Sequence, residues 1–167
     1  MESVIFERFS VYKFGIDYPS VCRVEFNPKS RREGGDVVFH FPDKEKIFLS
    51  WGALEKAQKK FPTVEEQAEH SIKVVTKSGN VKNVQRISQD SLSISSHRAA
   101  YNHIKLDEMQ PGLFFGGKKG VPREAHSVHV HCEETSRYFV IYTLLSTKAP
   151  EDFGQLLVTM ANSFKCH

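Results

Sequence analysis

The sequence contains no long apolar run, since no stretch approaches the roughly 18 consecutive apolar residues that a membrane-spanning helix requires. It is also poor in cysteine, with Cys22, Cys132 and Cys166 at wide spacing. An odd number of distant cysteines does not form the disulfide framework of a small secreted domain. The opening segment MESVIFER has neither the basic nor the apolar region of a signal peptide. We therefore expect a reduced, cytoplasmic protein that does not bind or cross a membrane.

Neither sign of charge dominates, because 23 lysines and arginines face 20 acidic residues and leave a net charge of +3. This excess is too small to indicate nucleic-acid binding by itself. Glu33 and Glu55 interrupt two local basic clusters, which have no aromatic platform beside them. The clusters comprise Lys29, Arg31, Arg32, Lys56, Lys59 and Lys60. We expect both to be solvated surface, and we expect no nucleic-acid partner.

Apolar residues are numerous enough to form one core. The 167 residues are 40% apolar and include 13 phenylalanines, while 26% are charged. A chain of this length buries about 70% of its unfolded surface when it folds as one unit. No internal repeat or linker divides it. We therefore expect a single domain over residues 1–167.

The first half of the chain carries strand signals and then helix signals. Strands are predicted over residues 6–16, 21–26, 37–41 and 47–51. Helix signals begin at Ser50, and the apolar stripe of Leu54, Ala57 and Phe61 predicts a short helix that Pro62 ends. Thr63 and Glu66 have the spacing of a capping box and predict the start of a second helix. Gly79 is expected to end that helix as a left-handed cap.

The second half returns to strands and closes with a helix. Strands are predicted over residues 81–87, 92–94, 96–104, 125–133 and 137–146, and a helix over 150–164. Between them, residues 106–122 are predicted to form one long loop. The strand over 137–146 is apolar on both faces, which predicts a central place in the sheet. The pattern indicates an α+β fold with an antiparallel β-sheet of about six or more strands and helices packed on it.

Three stretches carry a resemblance to a known superfamily. They are His97-Arg-Ala99, Arg137-Tyr-Phe-Val-Ile-Tyr142, and Phe153 with the closing Ser163-Phe164. With the order of strands, helix, strands and terminal helix, they resemble the PsbP-like superfamily, which also contains a nuclear protein that binds the Ran GTPase. The resemblance implies a PsbP-like α/β/α sandwich, in which helices cover both faces of the antiparallel sheet. Because its members mostly act as binding or assembly factors, it also implies binding rather than catalysis.

Histidines concentrate on two predicted strands and are the candidate metal ligands. Because side chains alternate along a strand, His129 and His131 share one face, while His126 lies on the other. His103, on the neighbouring strand, or Glu133 could supply a third ligand for zinc or another divalent metal. The alternative is a polar sheet face whose histidines are hydrogen-bonded or solvated. We recognise no other cofactor site.

Cys132 follows His131 directly and could be read as a nucleophile beside a base. Neighbouring strand residues point to opposite faces, however, so the two side chains cannot pair. Cys132 shares its face with Val128 and Val130 and is expected to be a small core residue.

The loop over residues 106–122 is the candidate partner-binding segment. Phe114 and Phe115 could supply apolar contact area, while Lys118 and Lys119 could attract an anionic group. The segment is not a P-loop, because no Ser or Thr follows the lysines and a strand rather than a helix comes next. The alternative is that both phenylalanines are buried beneath the loop.

These observations favour a non-catalytic binding or assembly module that contacts a protein partner through the 106–122 loop and the neighbouring sheet edge. The alternative is a metal- or small-ligand-binding protein built on His103, His129 and His131, with hydrolysis as the chemistry that such a site would suggest. Convergence of those histidines on one open position in a concave pocket would favour the second hypothesis.

Overall fold

A computed structural model describes residues 3–113 and 116–167 of the chain. The elements are β1 (Phe6–Val11), β2 (Phe14–Pro19), β3 (Arg23–Phe26), β4 (Gly34–His40), β5 (Lys46–Ala53), α1 (Leu54–Gln58), α2 (Val64–Lys77), β6 (Val81–Ile94), β7 (His97–Gln110), β8 (Lys119–Cys132), β9 (Arg137–Leu145) and α3 (Phe153–Ser163). The first two strands form a separate hairpin, and the other seven form one sheet.

The large sheet has the strand order β3-β4-β5-β9-β8-β7-β6, and every neighbouring pair is antiparallel. Strand β9 is the fourth of the seven. Its side chains at Phe139 and Ile141 are fully buried. The central position that the apolar pattern predicts is therefore confirmed.

Helices cover both faces of this sheet. One face carries α3 and the β1–β2 hairpin over the main core, which contains Phe14, Val128, Phe139 and Leu157. The opposite face carries α2, which packs Ala68 against Ala100 of β7. The predicted antiparallel α/β/α sandwich is thus confirmed. Of the helices in the described part of the chain, none is both long and apolar enough to cross a membrane.

Helix α2 begins where the capping box predicts and ends differently from our expectation. The Thr63 side chain accepts a hydrogen bond from the backbone N–H of Glu66 at 3.2 Å. At the other end, Ser78 is extended with φ −65° and ψ 130°. Gly79 does not have a positive φ. The left-handed cap was therefore a wrong prediction, because Ser78 turns the chain away while its N–H still bonds to Val75.

The predicted strand over residues 6–16 is two strands. Tyr12 and Lys13 have φ of 48° and 65°, and this left-handed pair forms the turn between β1 and β2. Two consecutive residues with positive φ are typical of the tight turns that match hairpin twist. Neither is a Gly, Asn or Asp, so the sequence carried no turn signal.

The predicted loop over residues 106–122 is mostly strand. Strands β7 and β8 pair from Ala99 with Val130 as far as Gln110 with Lys119, so the connection is only residues 111–118. Strand β9 stops at the pair Glu124 and Leu145. We call residues 106–110 and 119–123, which extend beyond β9, the ribbon. Among the described strands, the ribbon has none on the outer side of β8, and all of its residues except Leu106 are half-buried or exposed. Apolar and polar residues therefore do not alternate clearly along it.

Candidate functional site

A cleft of about 860 Å³ lies on the α3 face of the sheet, where the ribbon begins. We call it the histidine cleft. Its floor is formed by β7 and β8, and its wall by the β9–α3 connection and the first turns of α3. The lining includes Asn83, Gln85, Tyr101, His103, Lys105, Arg123, Glu124, His126, Ser146, Thr147, Glu151, Gly154 and Gln155. Its volume is in the range of about 300–1,000 Å³ that is typical of ligand sites.

Four polar side chains form a connected group on the floor of the cleft. The rings of His103 and His126, which are directly paired across β7 and β8, stack at 4.1 Å and 19°. The hydroxyl of Tyr101 lies 2.7 Å from Nδ1 of His126. Nε2 of His103 lies 3.1 Å from the carboxylate of Glu124, and Nε2 of His126 lies 3.6 Å from it. The group can recognise a ligand by hydrogen bonding from a rigid strand platform.

The electrostatics keep His126 neutral at physiological pH. Burial, together with the nearby His103, lowers its pKa to about 4, although Glu124 acts in the opposite direction. Burial tends to raise the pKa of Glu124, but His103 and Lys105 outweigh it and hold that pKa below its ordinary value. Burial also raises the pKa of Tyr101. A neutral imidazole has one acceptor nitrogen, so we assign the Tyr101 hydroxyl as donor to Nδ1.

The cleft wall is held close to the floor by a glycine and a buried carboxylate. A Cβ atom on Gly154 would lie 2.6 Å from Cε1 of His126, so only glycine leaves room at this point of α3. Glu45, which is only 7% exposed, accepts hydrogen bonds from the backbone N–H and the hydroxyl of Ser146. These contacts position the β9–α3 connection.

The structure does not bring the predicted metal ligands His103, His129 and His131 together. His103 pairs with His126, so it lies on the α3 face, whereas His129 and His131 point to the α2 face. His131 contacts Gln67 of α2 at 2.6 Å. A sheet of backbone therefore separates the two sets, and a single ion cannot bind all three.

Burial beneath α2 lowers the pKa values of His129 and His131. His129 is 3% exposed and lies 3.1 Å from the hydroxyl of Ser127. Burial, and secondarily His131, lowers its pKa to about 4. Burial also lowers the pKa of His131. We therefore regard these two histidines as core residues that remain neutral.

An alternative metal set in the cleft is His103, Glu124 and His126, whose ligand atoms lie within 4.8 Å of one another. The stacking of the two rings limits this set. Lone pairs of an imidazole lie in the plane of its ring, so nearly parallel planes at 4.1 Å do not converge on one ion. The arrangement fits hydrogen-bonded recognition better than coordination.

A second cluster, which sequence reasoning missed, lies farther along β8. We call it the Cys–His cluster, and it consists of His97, Cys132, Cys166 and His167. Both cysteine side chains are fully buried. A hydrogen bond from Cys166, with further help from Thr135, lowers the pKa of Cys132 to about 5, and the same pairing raises the pKa of Cys166. The core position expected of Cys132 is correct, but its surroundings are polar.

Of the predicted partner-binding residues, Phe114 and Phe115 fall outside the described residues, whereas Lys118 and Lys119 lie at the tip of the ribbon. Lys119 is the first residue of β8 and Lys118 precedes it, and both are exposed. Leu113, at the same tip, exposes 88% of its surface.

Comparisons with known proteins show which solved structures have a similar fold. No protein-family model matches the chain, and a sequence search of curated proteins found no match. The solution structure of cyanobacterial PsbP (CyanoP) from Synechocystis matches with a TM-score of 0.67 and 12% identity, over 99% of this chain and 95% of that one. The crystal structure of the Saccharomyces cerevisiae Ran-binding protein Mog1p matches with a TM-score of 0.65 and 11% identity, over 98% of this chain and 96% of that one.

A third solved structure, from Bacteroides thetaiotaomicron, has a TM-score of 0.52 and 12% identity over 92% of this chain but 45% of that one. At identities this low the likeness establishes architecture and not activity. The resemblance found in the sequence is thereby confirmed for the fold: the protein has the PsbP-like fold of CyanoP and Mog1p.

Proposed function

We propose that the protein is a non-catalytic binding module that takes a protein partner at the histidine cleft and the adjoining ribbon. The observation that carries this proposal is the continuity of the cleft with a free strand edge. Strand β9 ends at Leu145, which pairs with Glu124 of β8, so residues 119–123 of β8 have no neighbour on their outer side among the described strands. An unpaired edge offers backbone donors and acceptors to an incoming segment.

The side chains at this edge are consistent with a partner that lies along it and enters the cleft. Pro122 and Arg123 belong both to the free edge and to the cleft lining. The exposed Leu113 lies at the end of the same ribbon. Backbone pairing would supply affinity, while the group around His126 would supply specificity through hydrogen bonds. The structurally similar Mog1p is a Ran-binding protein, which supports the choice of a protein partner.

The test uses a substitution that fills the cleft without touching its polar group. Gln155 is exposed on α3 and lines the cleft, and Thr159 lies one turn later on the same helix and does not. We would capture partners from a lysate of the source cells and measure binding of each purified partner directly. We expect Gln155→Trp to abolish binding of a partner that wild type and Thr159→Trp retain. If no captured protein distinguishes these variants, the proposal is wrong.

A small ligand in the cleft is the second candidate, favoured by the volume of about 860 Å³. Native mass spectrometry of freshly purified protein would reveal a co-purified compound. The same pair of variants tests this second function, because a filled cleft should exclude the compound. A compound that wild type and Thr159→Trp carry and Gln155→Trp lacks would support the small-ligand function.

A further inference from the structure

The Cys–His cluster is assembled from three separate parts of the chain, each held by its own structure. His97 opens β7 directly after Ser95 and Ser96, whose φ values of 52° and 65° form a tight turn. Cys132 is the last residue of β8. The segment after α3 brings Cys166 and His167 to the same place. Ligands on rigid strands and turns are better placed than ligands on loops.

The segment after α3 is fixed by contacts that do not involve the donor atoms of the cluster. Lys165 and Gly15 exchange backbone hydrogen bonds of 2.8 and 2.9 Å. The buried guanidinium of Arg137 donates to the carbonyl oxygen of Cys166 at 3.2 Å. Phe164 is 1% exposed in the main core. The position of Cys166 is therefore set by the fold.

The distances match those of tetrahedral zinc. Bonds of about 2.3 Å to sulfur and about 2.1 Å to nitrogen place such ligands about 3.6 Å apart. Sγ of Cys132 lies 3.8 Å from Nε2 of His97, and Sγ of Cys166 lies 3.3 Å from Nδ1 of His167. All four donor atoms lie within 4.8 Å of one another.

Neighbouring polar groups orient the donors as they do around metal ions. Nε2 of His167 lies 3.0 Å from the carboxylate of Glu134, so that Nδ1 is turned toward Cys166. A carboxylate on the second nitrogen of a ligating histidine is the usual companion of zinc. The Thr135 hydroxyl donates to Sγ of Cys132 at 3.1 Å, which stabilises a thiolate. Both companions come from the β8–β9 turn.

We propose that the Cys–His cluster binds one zinc ion. Two thiolates and two imidazoles in a tetrahedral arrangement are the donors that zinc prefers. Because the protein supplies all four ligands, the site is closed and structural, with no position left for a substrate. The ion joins the segment after α3 to the ends of β7 and β8. This site is distinct from the histidine cleft and does not depend on its function.

The experiment measures zinc stoichiometry and affinity in protein that is kept reduced, stripped with a chelator and retitrated with Zn²⁺. We expect one zinc per chain, and a thiolate charge-transfer band when Co²⁺ replaces it. Glu134→Gln should weaken zinc binding by about 10- to 100-fold. His167→Ala should weaken it more, because a ligand is lost. These two side chains are partly exposed, so both variants should remain folded by circular dichroism.

Two controls locate the ion. Cys22→Ser alters the cysteine outside the cluster, and His103→Ala removes a histidine of the cleft; both should retain wild-type zinc affinity. Absence of stoichiometric zinc, an affinity that His167→Ala leaves unchanged, or loss of zinc in His103→Ala would each overturn the proposal. A disulfide between Cys132 and Cys166 that persists in the presence of reductant and zinc, detected by mass spectrometry, would do so as well.

Discussion

His126 and Gly154 touch where the sheet meets α3, and a Cβ atom on Gly154 would lie 2.6 Å from the imidazole. The imidazole ring cannot easily move away, because Tyr101 is hydrogen-bonded to it and the ring of His103 stacks on it. Gly154 is the second residue of α3, so in Gly154→Ala the gain in helix propensity would be smaller than the roughly 1 kcal/mol typical of a helix interior. The overlap would cost about 1–3 kcal/mol. We expect a net loss on the order of 1 kcal/mol in the free energy of unfolding, measured by urea titration.

Gly79→Ala is the matched control for this substitution. A Cβ atom there meets nothing within 4 Å, and φ is not positive. We expect the free energy of unfolding to change by no more than about 0.5 kcal/mol. Equal stabilities of the two alanine variants would show that a Cβ atom at position 154 does not clash with His126.

Glu45 connects the turn before β5 to the wall of the histidine cleft, and its removal should loosen that wall. Glu45→Ala would leave the half-buried backbone N–H of Ser146 without its acceptor, which costs on the order of 1 kcal/mol. Glu45→Gln keeps one acceptor oxygen and should cost less. We expect faster hydrogen exchange over residues 146–149 in the alanine variant. Exchange as slow as in wild type would contradict the role of Glu45.

Buried histidines should make the protein less stable in mild acid. The pKa of His129 falls from 6.5 to about 4 on folding, so the unfolded chain takes up a proton first as the pH decreases. Stability is then full above about pH 6.5 and is lost toward pH 4, by on the order of 3 kcal/mol for this one histidine. His126 acts in the same direction.

The test is the pH dependence of unfolding in His129→Gln. Glutamine does not titrate, so the loss of stability between pH 6.5 and pH 4 should be shallower than in wild type. Slopes are compared, not absolute stabilities, because the substitution also changes packing against Ser71 and Ser127. Parallel curves for both proteins would refute a neutral, buried His129.

The elements that could be predicted from the sequence are those whose pattern is local. Strand β9 is apolar on both faces, and the Thr63 capping box lies within one helical turn, so neither needs knowledge of distant residues. The β1–β2 turn was missed because Tyr12 and Lys13 are not typical of positive φ. The ribbon was read as a loop because solvent reaches much of it and weakens the alternation.

Both candidate sites escaped prediction because they depend on register and on the path of the chain. His103 meets His126 only because the β7–β8 register pairs them. A single sequence shows two histidines on one strand more readily than one on each of two strands. Cys132 meets Cys166 only after α3 has crossed the sheet and the following segment has paired with Gly15. No short sequence spacing therefore indicates that the two cysteines lie close together.

Arg137 is a buried cation, and two substitutions at this position distinguish the effect of its charge from the effect of its side-chain shape. It is 1% exposed, and its guanidinium lies 5.4 and 5.2 Å from the ring centroids of Phe14 and Phe139. Its Nε and Nη1 are buried without a hydrogen-bond partner in the described structure. Arg137→Lys would keep the charge but lose the planar contact with the rings. Arg137→Met would remove the charge and keep apolar volume, which is often neutral when a buried ion is incompletely paired.

We therefore expect the lysine variant to be less stable than the methionine variant, with a loss on the order of 2–4 kcal/mol for lysine. Urea unfolding of both variants, with the chelator present throughout, measures the difference without any contribution from bound metal. If the methionine variant were instead the less stable of the two, the positive charge itself would stabilise this end of the sheet. In that case the charge would act through the buried cysteines, since both lie close enough to influence the guanidinium.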